Sequence, residues 1–157
     1  MASDKSSNPL AVKSSDRKRM GTLWVAMIEI FGYRWTNAFG VDAAQGAGAT
    51  WAKGLHDLSD RQIGEGLAAM VATADDWPPS LPAFRKLCLG IPSLGAVQFE
   101  LATPSRRETA SPFSCLVWSL IDHYRFANAS VMIADRLLRD AYHLAVERVM
   151  RGEEGGQ

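Results

Sequence analysis

The chain has 157 residues, of which 47% are hydrophobic and 22% charged, and its 17 lysines and arginines balance its 17 acidic residues. This length allows one domain of ordinary size or two very small helical units, and the composition lies in the normal globular range. Because the formal net charge is zero, the whole molecule has no broad positive field of the kind that grips duplex DNA, so any nucleic-acid contact must be local.

The first twenty residues are polar and rich in serine, and they end in the basic run Arg17-Lys18-Arg19. They contain no apolar signal core and too little apolar surface to offset the entropy of folding. We therefore predict a disordered basic tail over residues 1–20. The longest apolar stretch, Leu23 to Phe31, is too short to cross a bilayer, so we expect a cytoplasmic protein without membrane contact.

Helical periodicity begins near Thr22, where apolar residues recur at steps of three and four. This pattern predicts a first helix that ends near Gly32. The segment Gly40 to Thr50 is rich in Gly and Ala and favours a loop. A short second helix is predicted from the apolar spacing between Trp51 and Leu58.

A complete helix-start signal follows at Ser59-Asp60-Arg61-Gln62. Ser59 can cap the Gln62 amide while Gln62 reaches back to Ser59, so a third helix should begin here. Pro78-Pro79 forbids its continuation, and Ser80 predicts a restart that ends at Gly90.

The second half repeats these features without any alternating strand pattern. A modest helix is predicted over Leu94–Leu101, followed by a polar stretch from Ser105 to Ser111. One helix should run from Pro112 to Tyr124, and a last one from Val131 to Met150. We therefore predict an all-α fold with six or seven helices. They would form two small units over residues 21–90 and 91–151, with a disordered tail over residues 152–157.

Catalytic and metal-binding signatures are missing from the sequence. The segment Gly46 to Gly54 lacks the order of a phosphate-binding loop, and Gly64-Glu65-Gly66 favours close helix packing instead. The three histidines lack the spacing of a metal site, and the cysteines, Cys88 and Cys115, favour two buried free thiols in a reducing compartment. We therefore expect no enzymatic activity, cofactor or metal.

The tryptophans raise the alternative of base stacking in single-stranded DNA. Trp24, Trp51 and Trp118 fall on apolar helix faces and are predicted to be core residues. Trp77 precedes Pro78-Pro79 at a helix junction and could lie at the surface. Packing against the prolines is the favoured interpretation, and base stacking is the alternative.

Three segments carry a family resemblance: Trp51-Ala52-Lys53-Gly54-Leu55, the capped helix from Ser59 to Leu67, and the run from Trp77 to Cys88 with its Pro-Ser-Leu-Pro-Ala-Phe turn. Their order resembles the phage replication protein P family of lambda-type helicase loaders. Similar proline-bounded segments occur in primosomal proteins of the DnaT type. The resemblance extends over roughly residues 20–153.

The resemblance implies a phage or prophage DNA replication protein that binds the DnaB-type replicative helicase of a bacterial host and loads it at an origin without ATPase activity of its own. An origin initiator protein and single-stranded DNA are further implied partners. The implied helicase contacts lie in the second half of the chain: Phe113, Trp118, Tyr124, Arg125, Leu137 and Arg139. A second contact, or single-stranded DNA, is assigned to Trp77, Arg85 and Lys86, and the basic residues at the end of the predicted tail are candidate phosphate contacts: Arg17, Lys18 and Arg19.

Two alternative functions stay open from the sequence. The chain could be a primosomal protein that binds single-stranded DNA, which predicts salt-sensitive binding. It could also be an inhibitor that sequesters the host helicase. Each apolar candidate contact also has a plausible role in the core.

Overall fold

The computed structural model describes residues 14–73 and 75–153, and every regular element in those ranges is a helix. The described helices are α1 Ser14–Phe31, α2 Tyr33–Phe39, α3 Ala47–Leu55, α4 Asp60–Ala72, α5 Leu81–Cys88, α6 Leu94–Leu101, α7 Pro104–Glu108, α8 Pro112–Ser119, α9 His123–Ala127 and α10 Val131–Met150. The all-α prediction is confirmed, and the predicted number of helices is wrong because ten are present in the described residues.

The chain divides into two compact units, Met1–Cys88 and Leu89–Gln157. The division lies two residues from the boundary predicted between residues 90 and 91. Each unit has its own apolar core.

The first helix starts earlier than the sequence indicated. Helix α1 begins at Ser14, so residues 14–20 are helical and the predicted tail is wrong for that segment. Residues 1–13 of the tail lie outside the described residues, as do residues 154–157 at the other end. The physical reason is tertiary: Arg19 donates to the backbone oxygens of Leu55 and Leu58, which ties the polar start of α1 to the end of α3.

Three short helices account for the miscount. Gly32 adopts a positive φ of 63° and separates α1 from α2. Thr103 caps α7, which occupies part of the polar stretch where no helix was predicted. Asp122 accepts a hydrogen bond from the Arg125 amide and starts α9, so the single helix predicted up to Tyr124 is divided.

Local signals define the other boundaries. The Ser59 hydroxyl accepts from the Gln62 amide at 3.1 Å, and the Gln62 side chain accepts from the Ser59 amide at 2.9 Å, so the predicted capping box is present. The Ser130 hydroxyl accepts from the Ile133 amide and caps α10, and that helix has the predicted bounds.

Helices α4 and α5 approach closely in the first unit. A Cβ built on Gly66 would overlap the Sγ of Cys88, which confirms the packing role predicted for this glycine. A Cβ on Gly64 would meet nothing within 4 Å, so the same prediction is wrong for Gly64.

Five aromatic rings fill the core of the first unit. Trp35 makes edge-to-face contacts with Trp24 and Trp51, with ring centroids 4.9 Å and 5.1 Å away, and Phe39 and Phe84 extend the cluster. The indole nitrogen of Trp24 donates to the Gly40 oxygen. Trp24 and Trp51 are therefore core residues, as predicted.

The core of the second unit forms where α10 packs on α6, α8 and α9. Its buried members are Val97, Leu101, Val117, Ile121, Leu138, Ala141, Tyr142 and Ala145. Glu100 helps to fix α8 against α6, because its carboxylate accepts hydrogen bonds from the hydroxyls of Ser111 and Ser114. All of the α10 members lie at residue 138 or later, so the first two turns of α10 extend beyond this core.

Candidate functional site

Two of the predicted DNA contacts bind the chain's own backbone. The Arg19 guanidinium donates to the carbonyl oxygens of Leu55 at 2.9 Å and Leu58 at 2.6 Å. The Arg85 guanidinium donates to the Gly54 oxygen and pairs with both carboxylate oxygens of Asp57, at 2.7 Å and 2.8 Å. Both arginines therefore bind oxygen atoms in the last turn of α3 and in the segment that follows it. Carbonyls at the end of a helix lack intrahelical donors.

The Asp57–Arg85 pair is electrostatically well matched. The hydrogen bonds from Arg85 lower the pKa of the Asp57 carboxyl, and the same pairing raises the pKa of Arg85. Two parallel N–H···O bonds between a guanidinium and a carboxylate are among the stronger charge-assisted contacts in proteins. A phosphate would have to compete with this carboxylate for Arg85.

The other basic candidates are placed differently. Arg17 and Lys18 are exposed on α1, and Lys86 is half-buried on α5. Lys18 also borders a groove of about 420 Å³ between α1 and α4, whose floor is apolar and includes Leu23 and Ile63. Arg19 and Asp60 also line the groove, so its apolar surface is bordered by charges of both signs.

Trp77 lies at the surface, with 66% of its area exposed. The guanidinium carbon of Arg34 stands 4.8 Å from the centre of its ring, and Arg34 also donates to the Asp76 oxygen. Sequence reasoning missed Arg34, which is 43 residues away in the chain and carries no local signal for this contact. The cation–π contact orients the indole ring at the surface.

The apolar candidates on α8 belong largely to the packing of the second unit. Phe113 and Trp118 are half-buried against its core. The Trp118 ring has the Arg107 guanidinium 4.1 Å from its centre and stacks on His123. Trp118 is therefore a core-edge residue with neighbours that hold its ring in place.

Where α9 meets α10, large side chains are exposed to solvent instead of packing against the core. Tyr124 is 81% exposed, Val131 is 89% exposed and Met132 is 74% exposed. We call these three residues the α9–α10 corner. Arg125, another predicted helicase contact, is also exposed and follows Tyr124 directly. Sequence reasoning missed Val131 and Met132. The sequence signal that could have found them is the run of apolar residues directly after Ser130, ahead of the residues of α10 that recur at helical spacing.

The remaining candidates lie further along α10. Leu137 is half-buried, and Arg139 is exposed. The Arg139 Nε donates to the Asp135 carboxylate at 2.7 Å, four residues earlier on the same helix. Arg139 therefore has a local partner, while Leu137 lies at the edge of the exposed surface.

The two cysteines differ in environment. Cys88 is buried, and desolvation raises the pKa of its thiol to about 12. Cys115 is exposed on α8, so the prediction of two buried thiols is wrong for this residue. The apolar neighbours of Cys115 in the sequence lie on other faces of the helix.

Within the described residues, no group of three or more His, Cys, Asp or Glu side chains is arranged to hold a metal ion. None of the described helices is long and apolar enough to cross a membrane.

Comparison with known proteins identifies no relative. No protein-family model matches the chain, and neither the curated proteins nor the solved structures contain a match.

Proposed function

We propose that this protein is a non-enzymatic adaptor of DNA replication that binds a DnaB-type replicative helicase through its second unit and loads it at an origin. The α9–α10 corner is the observation that carries the binding part of this proposal. The replication part rests on the resemblance of the segments between Trp51 and Cys88 to the replication protein P family.

The corner has the chemistry of a protein-binding surface. Tyrosine and methionine are enriched in protein interfaces, where a few large side chains provide most of the binding energy. Tyr124, Val131 and Met132 are available for such contacts without disturbing the core, because all three are largely exposed. Burying their exposed apolar area against a partner would favour association.

The test uses the purified full chain and the host helicase. The complex is captured by pull-down at micromolar concentrations, and its mass is then measured. We expect Tyr124→Ala combined with Met132→Ser to weaken binding at least tenfold, with unchanged helicity by circular dichroism. Phe99→Ala is the matched control because Phe99 is another exposed aromatic residue of the same unit. A complex that survives the double substitution, or no complex at all, would contradict the proposal.

Loading and inhibition differ in the fate of the bound helicase. A loader transfers the helicase to origin DNA and unwinding begins, whereas an inhibitor holds the helicase in an inactive complex. An unwinding assay on an origin-containing template, with and without the initiator protein, separates these outcomes.

A second candidate function has its own observation, the exposed Trp77 ring oriented by Arg34. A base of single-stranded DNA could stack on an exposed indole in such a site. This candidate predicts that a thymidine oligonucleotide quenches tryptophan fluorescence, that Trp77→Ala removes the effect, and that binding weakens as salt rises. Asp75 and Asp76 are also exposed beside the ring and oppose a phosphate chain there, so we rank this candidate second.

A further inference from the structure

Helix α10 has a second, solvent-facing surface in addition to the face that packs into the core. Its buried face contains Leu138, Ala141, Tyr142, Ala145 and Val149. At 3.6 residues per turn, the positions 133, 137, 140 and 144 fall on another face of the helix, about 120° away, and position 136 lies at the edge of that face. We call this surface the α10 stripe. It consists of Ile133, Arg136, Leu137, Asp140 and Leu144.

The apolar members of the stripe lie partly in solvent. Ile133 is 45% exposed and Leu144 is 39% exposed, and Leu137 between them is half-buried. The rise of an α-helix places residues 133 and 144 about 16 Å apart, so the stripe extends over three turns. An apolar row of this length on a helix is typical of a surface that packs against another helix.

The charges in the stripe do not pair with each other. Arg136 and Asp140 are four residues apart, yet the structure places no ion pair between them in the described part of the chain. The neighbouring Asp135–Arg139 pair has the same spacing and does form, at 2.7 Å. The difference agrees with the helix dipole, because an acidic residue before a basic one is the favourable order and Arg136–Asp140 has the reverse order.

We infer that the α10 stripe is the interface of a homodimer, in which two copies of α10 pack antiparallel about a two-fold axis near residue 138. In that arrangement Ile133 of one copy faces Leu144 of the other, and Leu137 lies near the axis. Arg136 of each copy faces Asp140 of the other. A two-fold interface requires a surface that complements itself, and the opposite charges on either side of residue 138 satisfy this requirement.

The interface is small, so the dimer should be weak. A standard stable interface covers about 800 Å² on each partner, and five side chains over three helical turns cover less. We therefore expect a monomer–dimer equilibrium in the micromolar range, which higher salt shifts toward monomer because it screens the exposed charge pairs.

The experiment measures the mass of the full chain by sedimentation equilibrium over a range of micromolar concentrations. Arg136→Asp places an aspartate of each copy opposite Asp140 of the other, so both charge pairs become repulsive and the dimer should weaken at least tenfold. Asp140→Arg places two arginines opposite each other and should have the same effect. The double variant Arg136→Asp with Asp140→Arg restores opposite charges and should restore the dimer. Arg61→Asp is the matched control, because Arg61 is an exposed arginine on α4 of the other unit with an acidic residue four positions later.

Recovery in the double variant would support the dimer, because loss of folding in the single variants could not produce it. Circular dichroism of each variant provides the folding check. A chain that is monomeric at all concentrations would overturn the inference, as would single charge reversals that leave the dimer unchanged or a double variant that stays monomeric while folded. Binding to the helicase through the α9–α10 corner is a separate measurement, so either proposal can fail alone.

Discussion

Two glycines on the same helix should respond in opposite ways to substitution by alanine. Gly64 and Gly66 both lie in the interior of α4. A Cβ at position 66 would overlap the Sγ of Cys88 and lie 3.1 Å from its Cα and amide nitrogen, whereas a Cβ at position 64 would meet nothing within 4 Å. Both glycines have helical backbone, so the difference in the free energy of unfolding between the two alanine variants measures the cost of crowding the contact between α4 and α5.

The magnitudes follow from two opposing effects. Alanine is better than glycine in a helix interior by about 1 kcal/mol, and both variants gain this amount. Only Gly66→Ala adds overpacking, which typically costs about 1 to 3 kcal/mol when neighbours must shift. Backbone atoms of Cys88 contribute to the crowding, so relief by side-chain movement is incomplete. We expect Gly64→Ala to stabilise the first unit by up to about 1 kcal/mol and Gly66→Ala, once the same gain is subtracted from the overpacking cost, to destabilise it by up to about 2 kcal/mol.

Urea unfolding followed by tryptophan fluorescence is the appropriate assay, because Trp24, Trp35 and Trp51 are all buried in the first unit. Circular dichroism at the same urea concentrations shows whether the second unit unfolds in the same transition. Cys88→Ala removes the overlapping sulfur, so it should recover part of the loss in the Gly66→Ala background. The reasoning would be refuted if the two glycine variants were equally stable.

Three further predictions concern single groups. Ser59→Ala removes the side-chain cap of α4 and should lower the free energy of unfolding by about 1 kcal/mol in urea, and an unchanged value would contradict the role of the cap. The hydrogen bond from the Ser114 hydroxyl is the main cause that lowers the pKa of Glu100 below its ordinary 4.5. Ionised Glu100 should therefore stabilise the second unit at pH values above its ordinary pKa. This stabilisation should be lost as the pH falls through the lower pKa of Glu100 in the folded state. Thermal unfolding of Glu100→Gln should differ from the unsubstituted chain at neutral pH and converge with it in acid, and a constant difference would argue against the linkage. A thiol reagent at neutral pH should modify Cys115 quickly and Cys88 only on unfolding, and mass spectrometry showing equal rates would contradict the difference in burial.

The sequence predicted helix boundaries best where one residue makes the decisive contact locally. The capping box at Ser59 is the example, since a cap hydroxyl and an amide three residues later are close in the chain. The bounds of α10 were predicted from its long apolar periodicity instead. Short helices were missed because five to seven residues, as in α2, α7 and α9, show too little periodicity. The start of α1 was missed for another reason: its first turns are polar and receive support from the distant end of α3.

Exposure was harder to predict than helical structure. Periodicity shows which residues share a helix face, but it does not show whether another helix covers that face. Cys115, Val131 and Met132 have apolar sequence surroundings similar to those of buried residues, yet they lie at the surface because no described element packs over them. Trp77 and Arg34 are distant in the chain, so their contact depends entirely on the fold of the first unit.

The role of Arg85 provides the sharpest contrast between sequence and structure. As a residue beside Trp77 in the chain it is a candidate phosphate contact, whereas in the fold it joins α5 to the Gly54 carbonyl and the Asp57 carboxylate. Arg85→Met keeps much of the aliphatic stem and removes these hydrogen bonds. Hydrogen bonds to charged groups contribute about 1.5 to 3 kcal/mol, and Asp57 is partly exposed, so we expect a loss of about 1 to 2 kcal/mol after solvent screening.

Arg61→Met is the control for Arg85→Met, because the exposed Arg61–Glu65 pair at i and i+4 should contribute only about 0.3 to 0.5 kcal/mol. Unfolding in urea and oligonucleotide binding are measured on the same preparations. A structural role for Arg85 requires the larger loss of stability. If Arg85→Met instead unfolds like the control but loses affinity for single-stranded DNA, then Arg85 binds phosphate. In that case its contacts with Asp57 and Gly54 must be exchangeable at little cost, and the second candidate function would gain a phosphate contact in the first unit.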